Sequence, residues 1–167
     1  ISYSSPIKLK MIVIRRNLYK LMLCFFVSLV ILSCEKEAEK VAYSEMELEI
    51  LELVNQYRLL NNLPIFEMNS FLYNEATEHT RYMIDKGEIS HENSDERFKS
   101  IQSALSGNAF AENVAAGQKT AGQVVDAWLN SEGHRRNIEG NYNITGISAI
   151  RNEQGRYYYT QIFTRIP

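Results

Sequence analysis

The stretch RYYYTQIFTR, Arg156 to Arg165, constrains the possible folds more than any other part of the chain. Its side chains alternate as those of a strand do: Tyr157, Tyr159, Gln161 and Phe163 share one face, and Tyr158, Thr160, Ile162 and Thr164 the other. Just upstream, ITGISAI (Ile144 to Ile150) alternates in the same way, and RNEQGR between the two supplies the residues of a hairpin turn. An antiparallel pair is therefore expected over this region.

Helical periodicity dominates the earlier segments. Ser44 followed by Glu47 matches a capping box, and Met46, Ile50, Val54, Tyr57 and Leu60 recur at helical spacing until NNLP ends the run. A second helix is expected from Asn69 or Ser70 to Gly87, with Leu72, Ala76, His79, Thr80 and Met83 on one face. His79 thus points inward, where a hydrogen-bonded core histidine is the commoner arrangement. Ser94 is read as the cap of a third helix reaching about Leu105, and Thr120 as the cap of a fourth. On that fourth helix Ala121, Val124, Val125 and Trp128 form an apolar stripe, which makes the single tryptophan a core anchor. Helices first and strands largely last imply an α+β domain with helices packed on an antiparallel sheet.

Charge separates the N-terminal region from this domain. None of the 20 Asp and Glu precedes Cys34, whereas Lys8, Lys10, Arg15, Arg16 and Lys20 do. From Cys34 onward the net charge is about −7, which argues against nucleic acid as a partner. The basic residues lead into LMLCFFVSLVIL, Leu21 to Leu32, too short for a comfortable bilayer span but suited to a signal-peptide core. It ends in ILSC, which resembles a bacterial lipobox with Cys34 as the lipidated residue. Residues 1–33 are accordingly read as a signal peptide, with 1–10 upstream of a start at Met11. Residues 34–43 are read as lipidated cysteine and charged tether, and 44–167 as the folded domain. Cys24 would leave with the signal, so the mature domain would have no disulfide. The expected location is the cell envelope or its exterior, with the membrane as a partner through the lipid on Cys34.

Polar groups that could carry chemistry are His91 in ISHEN, Glu112 in FAENVAAG, and Glu132 with His134 in WLNSEGHRRNI. Imidazole and carboxylate suit zinc or another divalent cation, but the separations exclude a local site on one helix face. Each residue also has a structural reading: His91 can bracket a turn, Glu112 can bind backbone amides, and Glu132 and His134 can lie exposed beyond the helix. No GxSxG elbow, Walker loop or dinucleotide fingerprint is present.

Taken in order, LVNQYRLLNNLP, ISH, AENVAAG, VVDAWLNSEGHRRNI, ITGISA and YYYTQIFTR resemble the CAP superfamily, the cysteine-rich secretory, antigen 5 and pathogenesis-related proteins, and most closely its bacterial SCP-like branch. The resemblance spans most of Glu45 to Arg165. It implies an α-β-α sandwich with a central, mainly antiparallel sheet between helical layers and a cleft across it. In members with the full set, two histidines and two glutamates line that cleft and can hold a divalent ion. Matched position by position, His91 is the first histidine, Glu112 the first glutamate and Glu132 the second, while Tyr158 stands where the fourth residue would be histidine. His134 either leans into the cleft as a substitute or braces its turn, and both readings stay open. Asn113 is read as fixing backbone, and Arg135 and Arg136 as exposed. The resemblance implies a binding or interaction module for a small ligand, a lipid or a surface protein. The alternative is a metal-dependent hydrolase of peptide or cell-wall material, with Glu112 or Glu132 as general base on metal-bound water.

Overall fold

The structure, a computed structural model, describes residues 41–167. The expected signal peptide, the lipidated Cys34 and the tether up to Lys40 lie outside the described residues. Four strands form one sheet in the order β1 (Glu67–Met68), β3 (Ile144–Arg151), β4 (Tyr157–Thr164), β2 (Phe110–Ala116). The short β1 runs parallel to β3, and the other pairs are antiparallel. The helices are α1 (Glu45–Leu60), α2 (Ser70–Lys86), α3 (Ser94–Leu105), α4 (Ala121–Leu129) and α5 (Glu132–Glu139).

The alternation of β4 sorts the core into two layers. Tyr159 and Phe163 pack with Ile50 and Val54 of α1, with Val124, Val125 and Trp128 of α4, and with Ile138 of α5. On the opposite face, Ile162 packs with Leu72 and Ala76 of α2 and Ile101 of α3, and Tyr158 packs with Met83 of α2 and Val114 of β2. The sheet thus lies between helical layers, which is the expected α-β-α sandwich. Gly146 of β3 permits the approach of α2: a Cβ there would lie 2.1 Å from the Leu72 carbonyl carbon.

Local signals set most helix ends. Ser44 accepts from the Glu47 backbone N–H while the Glu47 carboxylate accepts from the Ser44 N–H, completing the capping box. The other Glu47 oxygen accepts from Ala149 N–H at 3.0 Å, tying α1 to β3. Asn69 caps α2, and Gly87 ends it in the left-handed conformation. Two expectations are corrected. Ser94 is the first residue of α3, and the cap is Asn93, whose left-handed backbone leaves its side chain without a capping hydrogen bond. Leu60 is 84% exposed, because the buried stripe of α1 turns away at its last turn. Arg58 is buried there instead, donating to the Pro64, Ile138 and Gly140 carbonyls.

Candidate functional site at the β2 edge

β2 is an edge strand, and its alternation places successive polar residues on opposite sides of the sheet. Asn113 faces α5. Its Nδ2 donates to the His134 carbonyl, and its Oδ1 accepts from Asn137 Nδ2, which also reaches the Glu112 carbonyl. These amides pin α5 against the strand, in the role read for Asn113 from the sequence. α5 itself covers Glu132 to Glu139, a segment that the sequence reading left outside any helix. Its single buried residue is Ile138, so tertiary contacts rather than an apolar stripe hold it.

Glu112 faces α2 and α3, and its side chain is 2% exposed. Arg97, from the first turn of α3, closes a fork over it: Nε donates to Oε2 and Nη2 to Oε1, both at 2.9 Å, while Nη1 donates to the Glu92 carbonyl. His91 Nδ1 lies 2.8 Å from Glu112 Oε1 with its ring half exposed, and His79 Nε2 lies 3.7 Å from the same oxygen with its ring buried. A carboxylate paired with Arg97 only accepts, so His91 Nδ1 carries a proton and its Nε2 lone pair is turned away from Glu112. His79 Nε2 is 2.6 Å from the Ser90 carbonyl, which also only accepts and therefore fixes the protonated nitrogen of that ring. Burial lowers the His79 pKa below the ordinary 6.5, with the negative charge of Glu112 opposing part of that shift. At neutral pH the ring is uncharged.

Of the residues singled out in the sequence, His91 and Glu112 meet in a direct contact. His134, on α5, is half-buried and borders the same strand through its carbonyl, which accepts from Asn113, and its pKa is lowered by burial and secondarily by His91. Tyr158 is buried on the Glu112 side of the sheet but is paired with Ala116, further along β2. Glu132 is turned to solvent, its side chain 74% exposed, and pairs with Arg136 one helical turn on. Arg136 is exposed, as expected, whereas Arg135 is half-buried and donates to the Leu129 carbonyl. Among the described residues, no three of His, Cys, Asp and Glu are arranged to hold a metal ion. The donor chemistry gives the reason at Glu112. An ion at coordination distance, about 2 Å from either oxygen, would meet the guanidinium already held there. As arranged, these side chains do not fit a divalent cation.

Arg97 is the participant that the sequence reading missed. One signal was available, since Arg97, Ile101 and Leu105 follow one another at helical spacing, which puts an arginine on the buried stripe of α3. Beside it, a cavity of about 370 Å³ opens between α2 and α3, floored by His79 and Arg97 and walled by Glu75, Glu78, Tyr82 and Glu96.

Comparison with known proteins supplies the lineage. The family model described as "CAP: Cysteine-rich secretory protein family" matches residues 51–163. The chain belongs to the CAP family. It is 35% identical over 121 residues to the uncharacterized protein YkwD of Bacillus subtilis (strain 168), covering 71% of this chain and 47% of that protein. This CAP chain therefore spans about half the length of the curated relative it matches. Among solved structures, it is similar to an extracellular SCP-domain protein of Bacillus anthracis, with TM-score 0.61, 27% identity, and coverage of 71% of this chain and 40% of that one. An outer surface protein of Borrelia burgdorferi shares the fold at TM-score 0.66 and 19% identity, covering 75% of this chain and 97% of that one. Among the described residues no helix is long and apolar enough to cross a membrane.

Proposed function

We propose that this CAP domain is a non-enzymatic binding or interaction module that acts outside the cytoplasm, held at the envelope by a lipid on Cys34. The observation that carries the reading is the state of Glu112. A general base or a metal ligand needs an oxygen free to take a proton or a cation, and both Glu112 oxygens accept from Arg97. Glu132, the other carboxylate that could serve as base, is solvated and paired with Arg136, with no apolar surround to tune it. What the edge offers instead is recognition chemistry: the outward half of the His91 ring, the half-buried His134, and the adjacent cavity between α2 and α3. The extracellular nature of the similar Bacillus anthracis protein supports the location, and the acidic net charge after Cys34 agrees with a partner other than nucleic acid.

The test is hydrolysis of fluorogenic peptides and of purified peptidoglycan by the full chain, with added zinc and with a chelator. No turnover above buffer is expected in either condition. Chelator-sensitive turnover that disappears in Glu112→Gln would overturn the reading and establish the metal-dependent hydrolase in its place.

A further inference from the structure

A second cavity, of about 530 Å³, lies beyond the C-terminal end of β2, between residues 117–119 and the β3–β4 hairpin. Its charge is the reverse of the first. The cavity between α2 and α3 has three glutamates in its walls, whereas this one is lined by Lys119, Arg151 and Arg156 and by no acidic side chain. Among the described residues none of these three cations enters an ion pair. They stand together in a chain whose net charge from Cys34 onward is about −7, so the patch is a local reversal of the molecule's field. Cations that repel one another across a cavity gain from an anion between them.

The walls are tied to each other. Gly117 N–H donates to the Tyr157 carbonyl at 2.9 Å, and the Tyr159 hydroxyl donates to the Gln118 carbonyl at 2.8 Å. Asn152 closes the hairpin turn, its carbonyl accepting from Gly155 N–H and its side chain from Arg156 N–H, both at 2.9 Å. Both arginines are seated on tyrosines. Arg151 Cζ lies 4.4 Å from the Tyr157 ring centroid, and Arg156 Cζ lies 5.4 Å from that of Tyr158. A guanidinium held by a ring face keeps its N–H edge free, and that edge matches the oxygens of an anion. Lys119 adds a point charge from the other wall, and α4 opens two residues later with no acidic side chain in its first turn.

We propose that this cavity binds a phosphate group, free or carried by a lipid headgroup, through Arg151, Arg156 and Lys119. Phosphate is favoured over a lone carboxylate because its oxygens point in several directions, and the cations come from two walls. The volume lies in the range of small-molecule sites and leaves room for the group esterified to the phosphate. The site shares no residue with Glu112 and its partners, so it goes beyond the reading of the β2 edge and does not rest on it. It gives the CAP domain a second recognition surface, specific for anions.

The experiment is calorimetric titration of the full chain with inorganic phosphate and, separately, with dihexanoyl phosphatidylglycerol below its micellar concentration. It compares wild type, Arg151→Gln/Arg156→Gln and Lys119→Gln with the control Arg81→Gln/Arg136→Gln, which removes two charges from exposed positions elsewhere. Wild type is expected to bind one equivalent saturably and more weakly as salt is added. The arginine pair should weaken binding by about tenfold or more, Lys119→Gln by less, and the control not at all. Tighter binding of the phosphatidylglycerol than of inorganic phosphate identifies a headgroup site, and the reverse order a free-ion site. Absence of saturable binding to either probe overturns the proposal. So does binding that the arginine pair and Lys119→Gln retain at wild-type strength, or an equal loss in the control, which would mark a net-charge effect alone.

Discussion

On the side of the sheet that carries α1, α4 and α5, Tyr159 and Phe163 close a large apolar cluster around Trp128, Ile50 and Val54. On the side that carries α2 and α3, the neighbouring residues of the same strands meet polar groups as well as apolar ones. Thr160 accepts a hydrogen bond from Thr80 at 2.8 Å, and the Ser148 hydroxyl is buried without a partner. Glu112 there collects Arg97 and His91, with His79 alongside. Both sides hold buried polar groups, but on the first Asn113 and Gln161 sit beside a large apolar cluster, whereas on the second the charges of Arg97 and Glu112 meet directly. One draws its stability from burial of apolar area, roughly 25 cal/mol per Å². The other holds charges whose desolvation must be offset by hydrogen bonding, an arrangement of small net stabilisation that fixes position closely.

The sharpest way to break this comparison is at Trp128. The side chain is 1% exposed, and its indole N–H reaches the Val114 carbonyl at 3.3 Å. Trp128→Ala is expected to cost about 3–5 kcal/mol in urea unfolding. A loss below about 1 kcal/mol would show that the apolar face is not where stability resides.

A smaller effect sharpens the polar side. The folded-state pKa of His79 lies below 6.5 because of burial, reinforced by Arg97 and His91 and opposed by Glu112. The unfolded chain therefore takes up a proton first as pH falls. Its contribution to stability is complete above about pH 6.5 and is lost as pH falls through the folded-state value. His134 shifts in the same direction. His79→Gln, which can keep the donor to Ser90, should reduce the slope of urea midpoint against pH between about pH 7.5 and pH 5 without abolishing it. An unchanged slope would remove His79 from the titrating set.

Legibility in the sequence followed the range of the interactions. The stripe of α2, from Leu72 to Met83, and that of α4, from Ala121 to Trp128, are buried as periodicity required, because neighbours on a helix face are set by local geometry. The two faces of β4 were legible for the same reason. β2 was not read as a strand, since Glu112 and Asn113 at its centre are poor strand formers and its conformation comes from pairing with β4 over Phe110–Ala116. α5 was hidden by its polarity, its helix being held by Asn113 and by burial of Ile138. At the site, His91 and Glu112 were identified through ordered motifs, 21 positions apart in the chain. Nothing in those motifs announces Arg97, which lies on α3 and is recruited by the tertiary fold. Glu132, named by the same motifs, lies in solvent because α5 presents its first turn outward.

The direct measurement of the central claim is a double-mutant cycle on Arg97 and Glu112, using Arg97→Met, Glu112→Leu and the pair together, read by urea unfolding at neutral pH. If the chain neutralises this carboxylate internally, each single variant strands a buried charge, and the double variant is less destabilised than the sum of the singles by about 2 kcal/mol or more. Additive losses, with coupling within about 0.5 kcal/mol of zero, would contradict the account.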